Sequence, residues 1–135
     1  MPGGARRQVW LEVIATDAQG AVVYQSGVMK QGVIPADARR FIKIGVDKDG
    51  VPVGLRFWRY VKIGLDTRIP SGETRQETFD LPEGVQYPLT VSTRVLYQVF
   101  AKKLTDQVRA AFPDENIPEP EVIELVRRTA VFEAQ

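Results

Sequence analysis

At 135 residues, 44% hydrophobic and 26% charged, the chain has the make-up of one ordinary globular domain, long enough to bury a core without crosslinks. It contains no cysteine and no histidine, which excludes disulfides, thiolate nucleophiles, Cys-x-x-Cys-His haem attachment and imidazole-based catalysis or metal ligation within the chain. The net charge of +1 supplies no strong field for nucleic acid or an anionic membrane, although residues 1–70 carry 11 basic and 6 acidic groups while residues 71–135 carry 7 and 11.

Residues 1–6 read as a flexible lead-in and 7–135 as a single domain. Arg6 and Arg7 are followed by no apolar stretch of the kind a secretory signal needs, and no run approaches the roughly 20 residues that span a bilayer. The first element is a strand in which Val9, Leu11, Val13 and Ala15 share one face and Glu12 and Thr16 the other. Asp17-Ala18-Gln19-Gly20 turns it into Ala21-Val22-Val23-Tyr24, giving a β-hairpin. Gly and Pro between Gln31 and Ala38 leave room for one helical turn at most. Strand character resumes at Phe41–Val46; Asp47-Lys48-Asp49-Gly50 makes a second tight turn into Val51-Pro52-Val53, where the proline marks an edge or a strand start.

Residues 57–65 (FWRYVKIGL) predict a further strand, with Phe57, Tyr60 and Ile63 or Leu65 offered to the core. Residues 74–81 (TRQETFDL) predict a polar, half-exposed strand between the turns at Ile69–Glu73 and Pro82–Gly84. Leu89, Val91, Val95 and Tyr97 give the cleanest long strand. Phe100, Leu104, Val108 and Ala111 then recur at helical spacing, and Pro113 stops the helix. Residues 122–132 follow a Pro- and acid-rich connector; Pro120-Glu121 is compatible with a helix start, but the β-branched content favours a strand. Short strands separated by turns every 8–12 residues predict an all-β fold, an immunoglobulin/fibronectin-III-like antiparallel β-sandwich with one short helix near the C-terminus.

Few residues suggest chemistry. Asp47 and Asp49 with Gly50 match the opening of a calcium loop, but the residues that follow lack the later oxygen ligands, so a hairpin turn is the better reading. Arg56, Phe57, Trp58, Arg59, Tyr60 and Lys62 interleave cations with rings. In a strand, Phe57, Arg59 and Val61 would face one way and Trp58, Tyr60 and Lys62 the other, so core packing with basic stems laid over apolar surface competes with a ligand or partner face. Arg68 has acidic neighbours and is expected to pin its turn. No pair of carboxylates stands out for acid–base catalysis, which makes a hydrolase the weakest reading.

Several short pieces in a shared order resemble the C-terminal β-sandwich domain of bacterial multihaem c-type cytochromes. They are Val9-Trp10-Leu11-Glu12-Val13, Asp17-Ala18-Gln19-Gly20, Val23-Tyr24-Gln25-Ser26-Gly27, Pro35-Ala36-Asp37-Ala38, Asp49-Gly50-x-Pro52-Val53, Arg56-Phe57-Trp58 and Asp66-Thr67-Arg68-Ile69-Pro70-x-Gly72-Glu73. Pro88-Leu89-Thr90-Val91, Arg94-Val95-x-Tyr97 and Val122-Ile123-Glu124-Leu125 extend the similarity to nearly the whole chain. The resemblance implies a periplasmic or extracellular, non-catalytic and haem-free module that scaffolds or contacts the haem-bearing region or subunit of a multihaem cytochrome. Haem is expected only in that associated region or subunit. The chain departs from the pattern in having no histidine near Ala38-Arg39 or Arg56-Phe57-Trp58, so no haem-ligating role carries over. The expected contact residues are Arg39, Arg40, Arg56, Trp58, Arg59, Tyr60 and Arg68, whose cations suit haem propionates or an acidic patch. The alternative is a stand-alone carbohydrate- or surface-binding module presenting Trp58 or Tyr60.

Overall fold

A computed structural model describes residues 7–54 and 56–134; the expected lead-in over residues 1–6 lies outside them. Among the described residues seven strands and one α-helix follow in chain order: β1 (Gln8–Thr16), β2 (Val22–Ser26), β3 (Arg39–Arg40), β4 (Lys43–Val46), β5 (Lys62–Asp66), β6 (Leu89–Gln98), α1 (Lys102–Ala111) and β7 (Val122–Phe132). All pairings are antiparallel. Five strands form one sheet in the order β2-β1-β6-β7, with β3 beside β1 on the same edge as β2, and β4 and β5 form a separate ribbon. The chain is an all-β, sandwich-like domain with one helix.

β1 is the central strand, and its sequence suits burial on both faces. The expected apolar set Val9, Leu11, Val13 and Ala15 points one way, opposite Tyr97, Val95, Thr93 and Val91 of β6. The other face holds Trp10, which is 0% exposed and packs with Ile34, Ala38, Leu96 and Met29. Its indole Nε1 donates to the Gly27 carbonyl at 3.0 Å, satisfying the one polar atom that burial would orphan. Two residues along the same face, Arg94 of β6 clasps Glu12 with Nε and Nη2 at 2.7 and 2.8 Å. This bidentate grip raises the Arg94 pKa above its ordinary value, chiefly through the hydrogen bond to Glu12.

The opposite face of the sheet is covered in part by a strap, residues 67–88. The expected strand over 74–81 does not form; among the described residues this segment joins no ladder. Its side chains hold it instead. Phe79 meets Tyr24 edge-on at 6.1 Å and lies under the Arg39 guanidinium at 5.1 Å, while Glu77 binds Arg39 at 3.1 Å and Arg75 at 2.6 Å. Thr67 roots the strap, its hydroxyl donating to the Arg40 carbonyl at 2.7 Å and accepting from the Ile42 amide at 3.0 Å.

The two Asp-Gly turns are built alike. Asp17 Oδ1 accepts from the amides of Gln19 and Ala21, and Asp47 Oδ1 from those of Asp49 and Val51, all at 2.9–3.0 Å. Gly20 and Gly50 close them at φ +80° and +79°, a region costly to residues with a Cβ. The expected strand at 51–53 reduces to a single bridge between Val46 and Pro52. The helix and the strand over 122–132 form as expected, the helix starting at Lys102, with Leu104 buried beneath it.

Candidate interaction site

The strand expected over 57–65 is two things. Phe57–Arg59 is a single 3-10 turn, and β5 begins only at Lys62. Between them the backbone bonds locally, Arg56 N–H to the Val53 carbonyl at 2.8 Å and Tyr60 N–H to the Phe57 carbonyl at 3.1 Å, so no ladder recruits these residues. The side chains therefore do not alternate. Phe57 is exposed, as are Ile63 and Leu65, against the expectation that they enter the core. Trp58 is 71% exposed and stands edge-to-face with Phe57, ring centroids 5.4 Å apart. Arg56 and Arg59 flank this pair, both exposed, and Tyr60 is half-buried behind it. The core-packing reading of the aromatic stretch is thus corrected for Phe57 and Trp58.

This turn sits against the Asp47 turn. Asp47 is held below the usual carboxylate range first by the Val51 amide, then by the Asp49 amide and the charges of Arg59 and Arg56. The same interactions account for its side chain: Oδ1 is occupied by two backbone N–H groups, the work of a turn staple. Among the described residues no group of three or more carboxylate, histidine or cysteine side chains gathers where a metal could be held. Asp47 and Asp49 form a hairpin corner.

The remaining expected contact residues are dispersed. Arg39 is engaged by Glu77 and Phe79 on the strap. Arg40 is turned to the Trp10 side, where its Nη2 donates to the carbonyls of Ile34 and Pro35 at 3.1 and 3.2 Å and ties the 29–38 loop over the core. Arg68 is exposed and grips Asp66 through Nε at 2.8 Å and Nη2 at 2.7 Å, which pushes the Asp66 pKa down to about 2. The structure brings together Arg56, Trp58, Arg59 and Tyr60; Arg39 and Arg40 are building residues, and Arg68 secures its own turn.

Between the sheet and the strap lies an open groove of about 1320 Å³, floored by Leu11, Val13, Leu89 and Val91 and walled by Ile69 and Leu81. The alternation of β1 announced an apolar face; that an irregular strap would cover only part of it carried no signal, because the segment 74–81 alternates well enough to suggest a strand.

Comparison with family models finds no match, and no curated protein matches the chain in sequence. Among solved structures, the chain is similar to the crystal structure of a penta-haem cytochrome c552 from Thermochromatium tepidum. The two superpose with a TM-score of 0.69 at 21% sequence identity. The chain shares its fold with part of that cytochrome. The match covers 95% of this chain and 31% of the other, so the likeness is to a portion of a larger polypeptide. Haem ligation finds little to fit here: the chain has neither cysteine nor histidine, and Met29 packs inward against the Trp10 cluster. Among the described residues no helix is long and apolar enough to cross a membrane.

Proposed function

We propose that the chain is a non-catalytic, haem-free interaction and scaffolding module of an extracytoplasmic multihaem c-type cytochrome, docking on the haem-bearing region or subunit. The observation that carries this reading is the superposition of nearly the whole chain on under a third of a penta-haem cytochrome, which leaves the larger part of that protein as the natural neighbour of such a domain. Composition supports it, since a chain without cysteine or histidine cannot attach haem by Cys-x-x-Cys-His. The contact face is the 56–60 turn. An exposed ring pair flanked by Arg56 and Arg59 matches the make-up of interface centres, where aromatic residues and arginine dominate. The two guanidiniums suit haem propionates or an acidic rim.

The test starts from the reading frame and its neighbours, which should encode a polypeptide with several Cys-x-x-Cys-His motifs. That polypeptide, purified with its haems, should bind the chain in calorimetric titration at low salt, and the double variant R56E/R59E should bind at least about tenfold more weakly. Absence of any such polypeptide, or affinity unchanged by the double variant, overturns the reading.

The exposed Phe57–Trp58 pair also favours a second reading, a carbohydrate- or surface-binding module. Trp10 is buried and Trp58 exposed, so a glycan stacking on this turn would change the emission of Trp58 alone; a flat titration removes that reading.

A further inference from the structure

β7 is the outer strand of the five-stranded sheet, bonded to β6 along one edge and to no described residue along the other. It is eleven residues long, contains no proline, and is exposed throughout. Long unprotected edges of this kind are templates for another strand. The distribution of charge on β7 says which strand.

Opposite β6, the register skips one residue: Val126 faces Val95 and Glu124 faces Leu96, leaving Leu125 as a bulge. The bulge resets the alternation. Residues directly opposite in an antiparallel pair point to one face, so Glu124 opposite Leu96 and Arg127 opposite Arg94 both lie on the Trp10 face, although they are three apart. Within one chain they already form an ion pair at 2.6 Å.

We infer that β7 pairs antiparallel with β7 of a second copy of this chain, about a two-fold axis between Leu125 and Val126. In that register each Glu124 stands opposite the partner copy's arginine at the position of its own Arg127, on the same face, and the pairing repeats by symmetry. At the axis each Leu125 meets a Val126; in the single chain they are 56% and 40% exposed. Beyond the ion pairs, Ile123 faces Arg128 and Val122 faces Thr129. Other registers conflict with the sequence. Centring on Arg127 or Arg128 sets guanidinium against guanidinium, and centring on Glu124 sets carboxylate against carboxylate, which costs stability in directly opposed pairs. Centring on Val126 opposes Glu124 to Arg128 across different faces of the sheet. One register satisfies charge, face and apolar content together, and the result is a continuous sheet running through two copies.

The experiment uses four samples of the purified chain in sedimentation equilibrium: wild type, E124R, R127E and an equal mixture of the two variants. Wild type should dimerise reversibly at micromolar concentrations. Each single variant sets like charges against each other twice and should dimerise at least about tenfold more weakly. The mixture should recover dimer, because E124R facing R127E restores an acid–base pair at both positions; a clash within one chain cannot be relieved by mixing. A second measurement stands apart from the variants: wild-type β7 amides should gain protection from hydrogen exchange as concentration rises. A monomer at every concentration, single variants that dimerise like wild type, or a mixture that stays monomeric overturns the inference.

Discussion

β1 and β7 are both long, β-branched strands lying antiparallel to β6 in one sheet, yet they live in opposite environments. β1 carries a buried tryptophan on one face and an apolar floor on the other; β7 is exposed from end to end. Their intrinsic strand preference is similar, so position in the sheet decides what each does. The buried side chains of the sheet gather where β1 and β6 meet, and the outer edge of β7 pairs with no described residue.

The largest loss falls at Trp10. Replacing it with alanine removes the side chain that Ile34, Ala38, Leu96 and Met29 surround, and urea unfolding should show a loss of about 3–5 kcal/mol. Leu125→Ala, an equally apolar deletion on β7, should change stability of the single chain by less than about 1 kcal/mol. Equal losses would mean that β7 is not an exposed edge.

Next comes the Glu12–Arg94 clasp. The Glu12 side chain is 7% exposed, so Arg94→Ala strands a carboxylate inside the sheet and should cost about 3 kcal/mol or more. Arg127→Ala, its neighbour across the β6–β7 ladder, removes an exposed partner of Glu124 and should cost the single chain little. The smallest effect is at Asp66. Its folded pKa, about 2, lies below the ordinary carboxylate value of 3.8, so the Asp66–Arg68 contribution is fully present above about pH 4 and is lost as the pH falls toward 2. Acid unfolding of wild type and Arg68→Ala should therefore differ above pH 4 and converge below pH 2. A constant offset across that range would contradict the pairing.

How far the sequence foretold this molecule depends on whether local pattern or distant contact decided each segment. β1, β2, β6, the helix and both Asp-Gly turns follow from alternation, helical spacing and turn chemistry, because those forces act within a few residues. Trp10 was hidden on the face that Glu12 and Thr16 marked as polar; only its burial under the 29–38 loop gives that face a core. The segments 57–65 and 74–81 misled for a shared reason. Both alternate like strands, but the first closes a local turn between Val53 and Tyr60, and the second is fixed by Arg39, Arg75 and Tyr24 rather than by a ladder. That same turn explains why the contact residues were partly legible. Arg56, Trp58 and Arg59 are outward-facing together because no strand forms there, whereas Arg39 and Arg40 are drawn into the fold by Glu77 and by the carbonyls of Ile34 and Pro35.

The 56–60 turn is proposed as the face presented to a haem-bearing polypeptide. Hydrogen exchange of the chain with and without that polypeptide, read peptide by peptide, tests it directly. Exchange should slow at residues 56–62 and at the adjoining Asp47 turn, with β1 unchanged. Protection confined to other segments, or none at saturating partner, would contradict it.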